Sequence, residues 1–335
     1  MNSSLIIISI IINSFFLIFF KKISSIYNVY DSADGLRKFQ KSPVSLIGGG
    51  LIFFNFLFFI FFNYFFEINL FENSFFTNNR EFFSFIMGSS IFFIFGILDD
   101  KYKLKPNTKL FTLFILTLFF VMLDENLLVT NLKFYSFDHV VQLNIFSYFF
   151  TILCFLLFIN ALNMFDGINL QVGFYCILIF SVFVFKGVFF NLSIIIIISL
   201  IFFLYLNYNN KTYLGESGIQ FLAFAISYII IKTYNLNQEL FFVDEIFILM
   251  ALPGLELFRL FLLRVAKGKH PFKADTDHLH HLLLRSFSSK KTFLIIFLFI
   301  VSTIILYNFT QYKMLFITLY CILYVFVIFY LKKRK

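Results

Sequence analysis

Residues 170–206 read LQVGFYCILIFSVFVFKGVFFNLSIIIIISLIFFLYL, and this segment decides the class of fold. Lys186 and Gly187 interrupt it near its middle. A helix crosses the hydrocarbon core of a membrane with about 20 residues, so an apolar run of about 37 suits two spans joined by a tight turn. The segment therefore predicts spans at 170–186 and 188–206.

The whole composition agrees with this interpretation. The chain has 335 residues, of which 60% are apolar and 13% charged, and its mean hydropathy is +0.90. Soluble domains have about a quarter of their residues charged, so an ordinary soluble domain is excluded, as are collagen, a disordered chain and a disulfide scaffold. The sequence predicts an all-α, polytopic integral membrane protein.

The apolar runs and their interruptions predict eleven transmembrane helices. About 220 residues would lie in the spans, which leaves short loops and one transmembrane domain over 1–335. The predicted spans are 3–20, 46–66, 82–98, 109–123, 145–162, 170–186, 188–206, 217–232, 244–263, 292–307 and 313–331.

The basic residues predict the orientation of the chain. With eleven spans, the loops that follow odd-numbered spans share a side with the C-terminus. Only five of the 27 Lys and Arg residues fall on the opposite side: Arg80, Lys133, Lys186, Lys232 and Lys313. The positive-inside rule then places the C-terminus in the cytoplasm.

Dense polar segments are expensive in so apolar a chain, and all of them fall on the predicted cytoplasmic side. We therefore expect cytoplasmic loops to form one active site. The segments are Asp31 to Gly50, Asp99 to Lys109, Asn160 to Asn169, Tyr213 to Gly218, and Lys267 to Arg285.

Two of these segments offer carboxylates at span ends. Asp99 and Asp100 precede a lysine-rich loop, which fits either a solvated helix end or a divalent-cation site beside phosphate-binding lysines. Asn160, Asn163 and Asp166 are spaced by three and share a helix face, and Gly167 allows a sharp turn. That face is either a polar helix terminus or the wall of a polar cavity.

The remaining segments add a third carboxylate, imidazoles and a guanidinium. Glu216 lies between two glycines just before a span, which is a weak signal by itself. His278, His280 and His281 suit hydrogen bonding to a sugar or phosphate, with zinc as a less favoured alternative. Arg37 suits bidentate phosphate recognition.

Together these segments resemble the polyprenyl-phosphate N-acetylhexosamine-1-phosphate transferases of glycosyltransferase family 4. The resemblance runs from about Asp31 to Leu284 in motif order. It implies a bundle of ten or eleven helices in the bacterial cytoplasmic membrane, with its active site facing the cytoplasm. It also implies the first membrane step of a cell-surface glycan, such as lipopolysaccharide O-antigen or a wall polymer.

The resemblance assigns roles to individual residues. Asp99 and Asp100 match the catalytic Asp-Asp pair, and Asp166 and Glu216 match the positions linked to the metal. The implied cofactor is Mg²⁺, with Mn²⁺ as a substitute. The matches to substrate-binding positions are Arg37, Lys38, Asn160, Asn163, Arg264, His278, His280 and His281.

Four positions depart from the family pattern. Glu216 stands where the family usually has Asp, which keeps the charge but lengthens the ligand by one methylene. Asn169 replaces a usual second Asp and removes one negative charge. Gln40 replaces a common His, and Ala33 a common Pro. These departures bear on turnover and donor preference more than on the fold.

The implied partners are a UDP-N-acetylhexosamine, a polyprenyl phosphate lipid such as undecaprenyl phosphate, and the membrane itself, with no nucleic acid. A homodimer is compatible with the sequence. Two alternatives stay open here. The related phospho-MurNAc-pentapeptide transferases share the fold and Asp motifs but differ in the histidine segment. A transporter or lipid flippase would place polar residues near the midplane and often show repeated halves, neither of which is visible.

Overall fold

A computed structural model describes residues 3–31, 42–65, 75–137, 139–269 and 276–333. In these ranges the protein is almost entirely helical, because a backbone in lipid must satisfy its own hydrogen bonds. The α-helices of the described ranges are α1 (Ser3–Ile18), α2 (Phe20–Tyr27), α3 (Gly48–Phe65), α4 (Asn79–Tyr102), α5 (Pro106–Leu123), α6 (Ser147–Phe165), α7 (Gln171–Lys186), α8 (Phe190–Tyr208), α9 (Gly215–Leu236), α10 (Val243–Ala266), α11 (Leu279–Leu284), α12 (Ser289–Phe309) and α13 (Lys313–Lys333).

The all-α, polytopic prediction is confirmed, but the count of eleven spans is not. In the described ranges, nine helices are long and apolar enough to cross a membrane, or ten if the pair α1 and α2, bent by 76°, is one span. α7 has only 16 residues. Each predicted span nevertheless overlaps one of these helices, and a tight turn at Gly187, with φ +72°, joins α7 to α8 as predicted.

Two short antiparallel ladders interrupt the helices. β1 (Tyr30–Asp31) pairs with β2 (Val44–Ser45), and β3 (Asn131–Leu132) pairs with β4 (Val141–Gln142). Short 3₁₀ turns lie at Glu125–Leu127 and Asn144–Phe146.

Contacts divide the chain into two compact units. The first contains Met1–Asp124 and Val172–Ile229, and the second contains Glu125–Gln171 and Ile230–Lys335. In the first unit α8 packs on α1 and α3, and in the second α10 packs on α6, α12 and α13.

Close helix packing in the first unit depends on small residues of α4. A Cβ at Gly88 would collide with the ring of Phe224, and one at Gly96 would collide with the backbone of Ser217. Small residues let helix backbones approach closely where the membrane supplies little hydrophobic driving force. α9 therefore lies directly against α4 near the start of α9.

Candidate active site

Two carboxylates of the first unit share one lysine. The Nζ atom of Lys109 lies 2.7 Å from Oδ2 of Asp99 and 2.6 Å from Oε2 of Glu216. The side chains of Asp99, Lys109 and Glu216 are 7%, 16% and 27% exposed, so Glu216 is the most accessible of the three. Ends of three helices, α4, α5 and α9, thus bring two negative charges onto one cation.

Asp100 makes a different set of contacts from its neighbour Asp99. Its Oδ1 and Oδ2 accept the N–H groups of Glu216 (2.9 Å) and Ser217 (3.1 Å), at the start of α9. A carboxylate is favoured there because it satisfies free N–H groups and meets the positive end of the helix dipole. Asp100 therefore fixes the start of α9, and with it the backbone of Glu216.

The glycine before Glu216 is required by this geometry. Gly215 has φ +72°, a left-handed conformation, and a Cβ there would lie 2.8 Å from Oδ2 of Asp100. Gly49, at the start of α3, packs against the same turn. A Cβ at Gly49 would collide with the backbone of Gly218. The Gly49 N–H donates to Leu214 O at 2.9 Å. Close backbone approach thus explains the glycines of this motif.

A short reversal returns Lys109 to Asp99. α4 ends with Lys103 in a left-handed conformation, φ +50°, and its N–H donates to Asp99 O at 2.8 Å. The Leu104 N–H donates to Oδ1 of Asp99 at 3.1 Å, and Pro106 begins α5, where a missing N–H costs nothing. The loop between the Asp pair and the lysine is therefore held by Asp99 itself.

The chemistry of this cluster fits Mg²⁺, although no three His, Cys, Asp or Glu side chains form a ready metal site in the part of the chain that the structure describes. Mg²⁺ prefers oxygen ligands and usually takes one or two carboxylates together with substrate phosphates. Asp99 and Glu216 already converge on a cation, the ammonium group of Lys109. The two carboxylates are therefore suitable ligands for a divalent ion whose remaining ligands would come from the substrate phosphates.

In the second unit, three imidazoles lie against one another. The ring centroids of His280 and His281 are 4.3 Å apart, and those of His278 and His280 are 5.2 Å apart. His278 precedes α11 as its N-cap residue, and His280 is buried. Burial, and then the neighbouring His281 and His278, hold the pKa of His280 well below its ordinary value of 6.5. His280 is therefore neutral at physiological pH.

The loop after α6 packs on this histidine segment. A Cβ at Gly167 would collide with the ring of His280, so the glycine that follows Asp166 is needed for contact. Asp166 is exposed, whereas the Asn160 Nδ2 donates back to Leu156 O of its own helix at 2.7 Å. Within the second unit, the Asn-x-x-Asn-x-x-Asp-Gly segment and the His-x-His-His segment are therefore neighbours, as expected of one site.

Sequence reasoning missed two residues of the second unit. Glu256 and Arg259, both in α10, form an ion pair of 2.6 Å and contact the backbone on either side of His278. A carboxylate within an apolar run and a cation three residues later share a helix face, and this was the available signal. From the sequence alone, Arg259 counts only among the basic residues on the predicted cytoplasmic side.

The predicted site residues thus fall into two groups, each within one unit. The first group holds Asp99, Asp100 and Glu216, and the second holds Asn160, Asn163, Asp166, Arg264 and the three histidines. Arg264 is buried in the last turn of α10. Arg37 and Lys38, with Ala33, Gln40 and Lys41, lie outside the described residues. The convergence of all five segments, and metal binding by Asp166, stay predictions.

Comparison with known proteins defines the class of this site. The model for glycosyl transferase family 4 matches residues 82–234, a range that contains Asp99, Asp100, Asp166 and Glu216. Alignment with a Bacillus subtilis protein named "probable undecaprenyl-phosphate N-acetylglucosaminyl 1-phosphate transferase" shows 27% identity over 262 residues, 72% of this chain and 70% of that protein.

Two enterobacterial proteins, both named undecaprenyl-phosphate alpha-N-acetylglucosaminyl 1-phosphate transferase, are also similar. The Escherichia coli O157:H7 protein is 26% identical over 216 residues, and the Yersinia pestis protein is 24% identical over 218. Each match covers 60% of this chain and 58% of the relative. The class is therefore a membrane-bound phosphotransferase. The chain is similar to the polyprenyl-phosphate hexosamine-1-phosphate transferases over the ranges given above.

Proposed function

We propose that this protein transfers an N-acetylhexosamine-1-phosphate from a UDP-sugar to undecaprenyl phosphate, giving polyprenyl-diphospho-sugar and UMP. The names of its relatives support the lipid acceptor and the sugar-1-phosphate group. We further propose that the site faces the cytoplasm in a bacterial inner membrane, as the distribution of Lys and Arg predicts. The product would begin a cell-surface glycan.

The observation that carries this proposal is the convergence of Asp99 and Glu216 on Lys109. The reaction joins two anions, so its main requirements are positioning and charge neutralisation. Paired carboxylates that can hold a divalent ion, next to a lysine that can meet phosphate, supply both requirements.

Asp99 and Glu216 would hold Mg²⁺, with Mn²⁺ as a substitute. When bound, the ion neutralises charge on the diphosphate of the donor. Lys109, once its carboxylates have another cation, would donate to a phosphate oxygen. Asp100 keeps Glu216 in place through its two hydrogen bonds to the start of α9.

The lipid phosphate needs little activation. A phosphate monoester loses its second proton near pH 6, so the acceptor is largely dianionic at neutral pH. One of its oxygens attacks the sugar-linked phosphorus of the donor, and the bond from that phosphorus to the oxygen bridging to UMP breaks. We therefore assign Asp99 and Asp100 to organisation of the site, with no general base required.

The histidines would bind the donor. A neutral imidazole offers one N–H donor and one acceptor, which suits sugar hydroxyl and amide groups. His278, His280 and His281 would therefore contact the sugar or a donor phosphate, together with Arg264. Arg37 and Lys38 would add positive charge for phosphate.

The test is release of UMP by purified protein in detergent, given undecaprenyl phosphate, Mg²⁺ and a panel of UDP-sugars. An Asp100→Asn variant, shown to be folded, is the control. We expect UMP release that requires lipid, metal and Asp100, and that names the preferred donor. UMP release by Asp100→Asn at the normal rate, or none by the folded wild type with any donor, would contradict the proposal.

A further inference from the structure

We propose that Glu256, Arg259 and Tyr324 form a buried clamp that positions the histidine segment for donor binding. These three residues act through the histidines and do not touch substrate, so they are positioning residues. The inference rests on the proposed function, in which His278, His280 and His281 contact the UDP-sugar.

The clamp holds the peptide groups on both sides of His278. Oε1 of Glu256 accepts the Leu279 N–H at 2.7 Å, and Nη2 of Arg259 donates to Asp277 O at 2.7 Å. The bonded peptide groups belong to the residues just before and just after His278. The backbone direction at the start of α11 is thus set by two charged side chains of α10.

The two charges are fixed relative to each other by a tyrosine from α13. Nη2 and Nε of Arg259 donate to Glu256 at 2.6 and 3.3 Å, and Nε also donates to the Tyr324 hydroxyl at 2.9 Å. That hydroxyl in turn donates to Oε2 of Glu256. Both carboxylate oxygens of Glu256, the Tyr324 hydroxyl, and Nε and Nη2 of Arg259 all have partners, whereas Nη1 of Arg259 is buried without one among the described residues. Several hydrogen bonds to one buried charge pair give it a defined geometry.

The position of these charges is unusual for a span. Glu256 is 3% exposed and lies in α10, a helix long and apolar enough to cross a membrane. Ionisable residues within such helices are costly and are retained where they serve a site. Here the only chain segment that both charges hold, among the described residues, is the one that carries the histidines.

The histidines transmit the constraint by packing. His280 is buried against His278 and His281, and Gly167 lies against its ring. A shift of the backbone at Asp277 and Leu279 would therefore move all three imidazoles. Misplacement of a binding group by about 1 Å can cost on the order of 100-fold in rate.

The kinetic test compares Tyr324→Phe, Arg259→Lys and Glu256→Gln with the wild type. Tyr307→Phe is the matched control, since the Tyr307 hydroxyl likewise donates to a buried carboxylate of α10, Asp244, at 2.9 Å. We expect the clamp variants to raise the KM for the UDP-sugar by about 10- to 100-fold, with the KM for undecaprenyl phosphate unchanged. A purely structural network would lower the active fraction, and so kcat, with both KM values unchanged.

A second measurement does not depend on activity. Carbethoxylation of histidines by diethyl pyrocarbonate, followed by mass spectrometry, reports the accessibility of each imidazole. We expect His280 to be protected in the wild type and in Tyr307→Phe, and to react as fast as the part-exposed His281 in Glu256→Gln. A wild type that releases no UMP but shows this footprint would overturn the proposed function and leave the clamp standing. Unchanged protection of His280 in folded clamp variants, or an unchanged donor KM, would overturn the clamp.

Discussion

The Nζ atom of Lys109 lies 2.6 Å from Oε2 of Glu216, although 107 residues separate them in sequence. The same atom lies 2.7 Å from Oδ2 of Asp99. A cation of the protein thus occupies the place between two carboxylates where we propose a divalent ion. Lysine and metal would compete for the same oxygens, and this competition makes the role of the cluster testable.

Replacing Lys109 by Met should lower kcat by about 100-fold, because one preorganised positive charge is lost from the transition state. The measurement is UMP release at saturating donor and lipid. Lys105→Met is the control, since Lys105 is the N-cap residue of the same helix, α5, and is exposed.

The same variant should bind Mg²⁺ more tightly, since the competing ammonium group is gone. Thermal unfolding in detergent over a range of Mg²⁺ concentrations measures this without any turnover. Normal kcat in Lys109→Met would contradict the role of Lys109 in charge neutralisation, and an unchanged response to Mg²⁺ would contradict its competition with the metal.

Shortening Glu216 to Asp should preserve transfer, since the carboxylate remains on the same turn of α9 and the family usually has Asp here. Glu216→Gln should abolish it, because the charge that faces Lys109 is removed. The comparison is kcat for the two variants with Mg²⁺ and with Mn²⁺. A Glu216→Asp enzyme as inactive as Glu216→Gln would show that the longer arm is required or that the role of Glu216 is different.

Replacing Gly167 by Ala should displace the ring of His280, because the added methyl group overlaps it. Overpacking of this kind costs about 1–3 kcal/mol of stability, and we expect a weaker affinity for the donor as well. Gly254→Ala is the matched control, since a Cβ at Gly254 meets nothing within 4 Å. Thermal unfolding and donor KM are the two measurements, and equal behaviour of the two variants would refute the packing argument.

Acid should destabilise the protein through His280. Its pKa is held well below 6.5 in the folded state, so below pH 6.5 the unfolded chain binds a proton that the folded chain does not. The contribution is zero above that pH, grows by at most about 1.4 kcal/mol per pH unit below it, and levels off once the folded-state pKa is passed. Unfolding midpoints between pH 7.5 and 5 should fall less steeply in His280→Asn than in the wild type.

Much of the fold could be predicted because lipid imposes helices on apolar runs. Every predicted span overlaps a helix, and the turn at Lys186 and Gly187 lies where the run is broken. The number of spans could not be predicted as well. The 76° bend between α1 and α2 lies within one apolar run, so the hydropathy pattern does not predict it. Nor does the pattern predict that α7 has only 16 residues.

The site was predictable as residue types and motif order, but its contacts were not. Asp99 and Asp100 are adjacent in sequence, yet one holds Lys109 and the other holds the start of α9. Long-range pairs of this kind depend on packing between helices, which no local pattern encodes. Glu256 was not predicted as a site residue, because a single acid in a long apolar run does not change the prediction of a span.

The central claim is that a phosphoryl group moves together with the sugar, and the position of the β-phosphate tests it most directly. Purified protein would receive UDP-N-acetylglucosamine labelled with ³²P at the β-phosphate, undecaprenyl phosphate and Mg²⁺, with Asp100→Asn in parallel. We predict that the label moves into the lipid fraction as unlabelled UMP appears, and that the variant shows neither. Label that stays in the aqueous phase as UDP while the sugar enters the lipid would contradict the account.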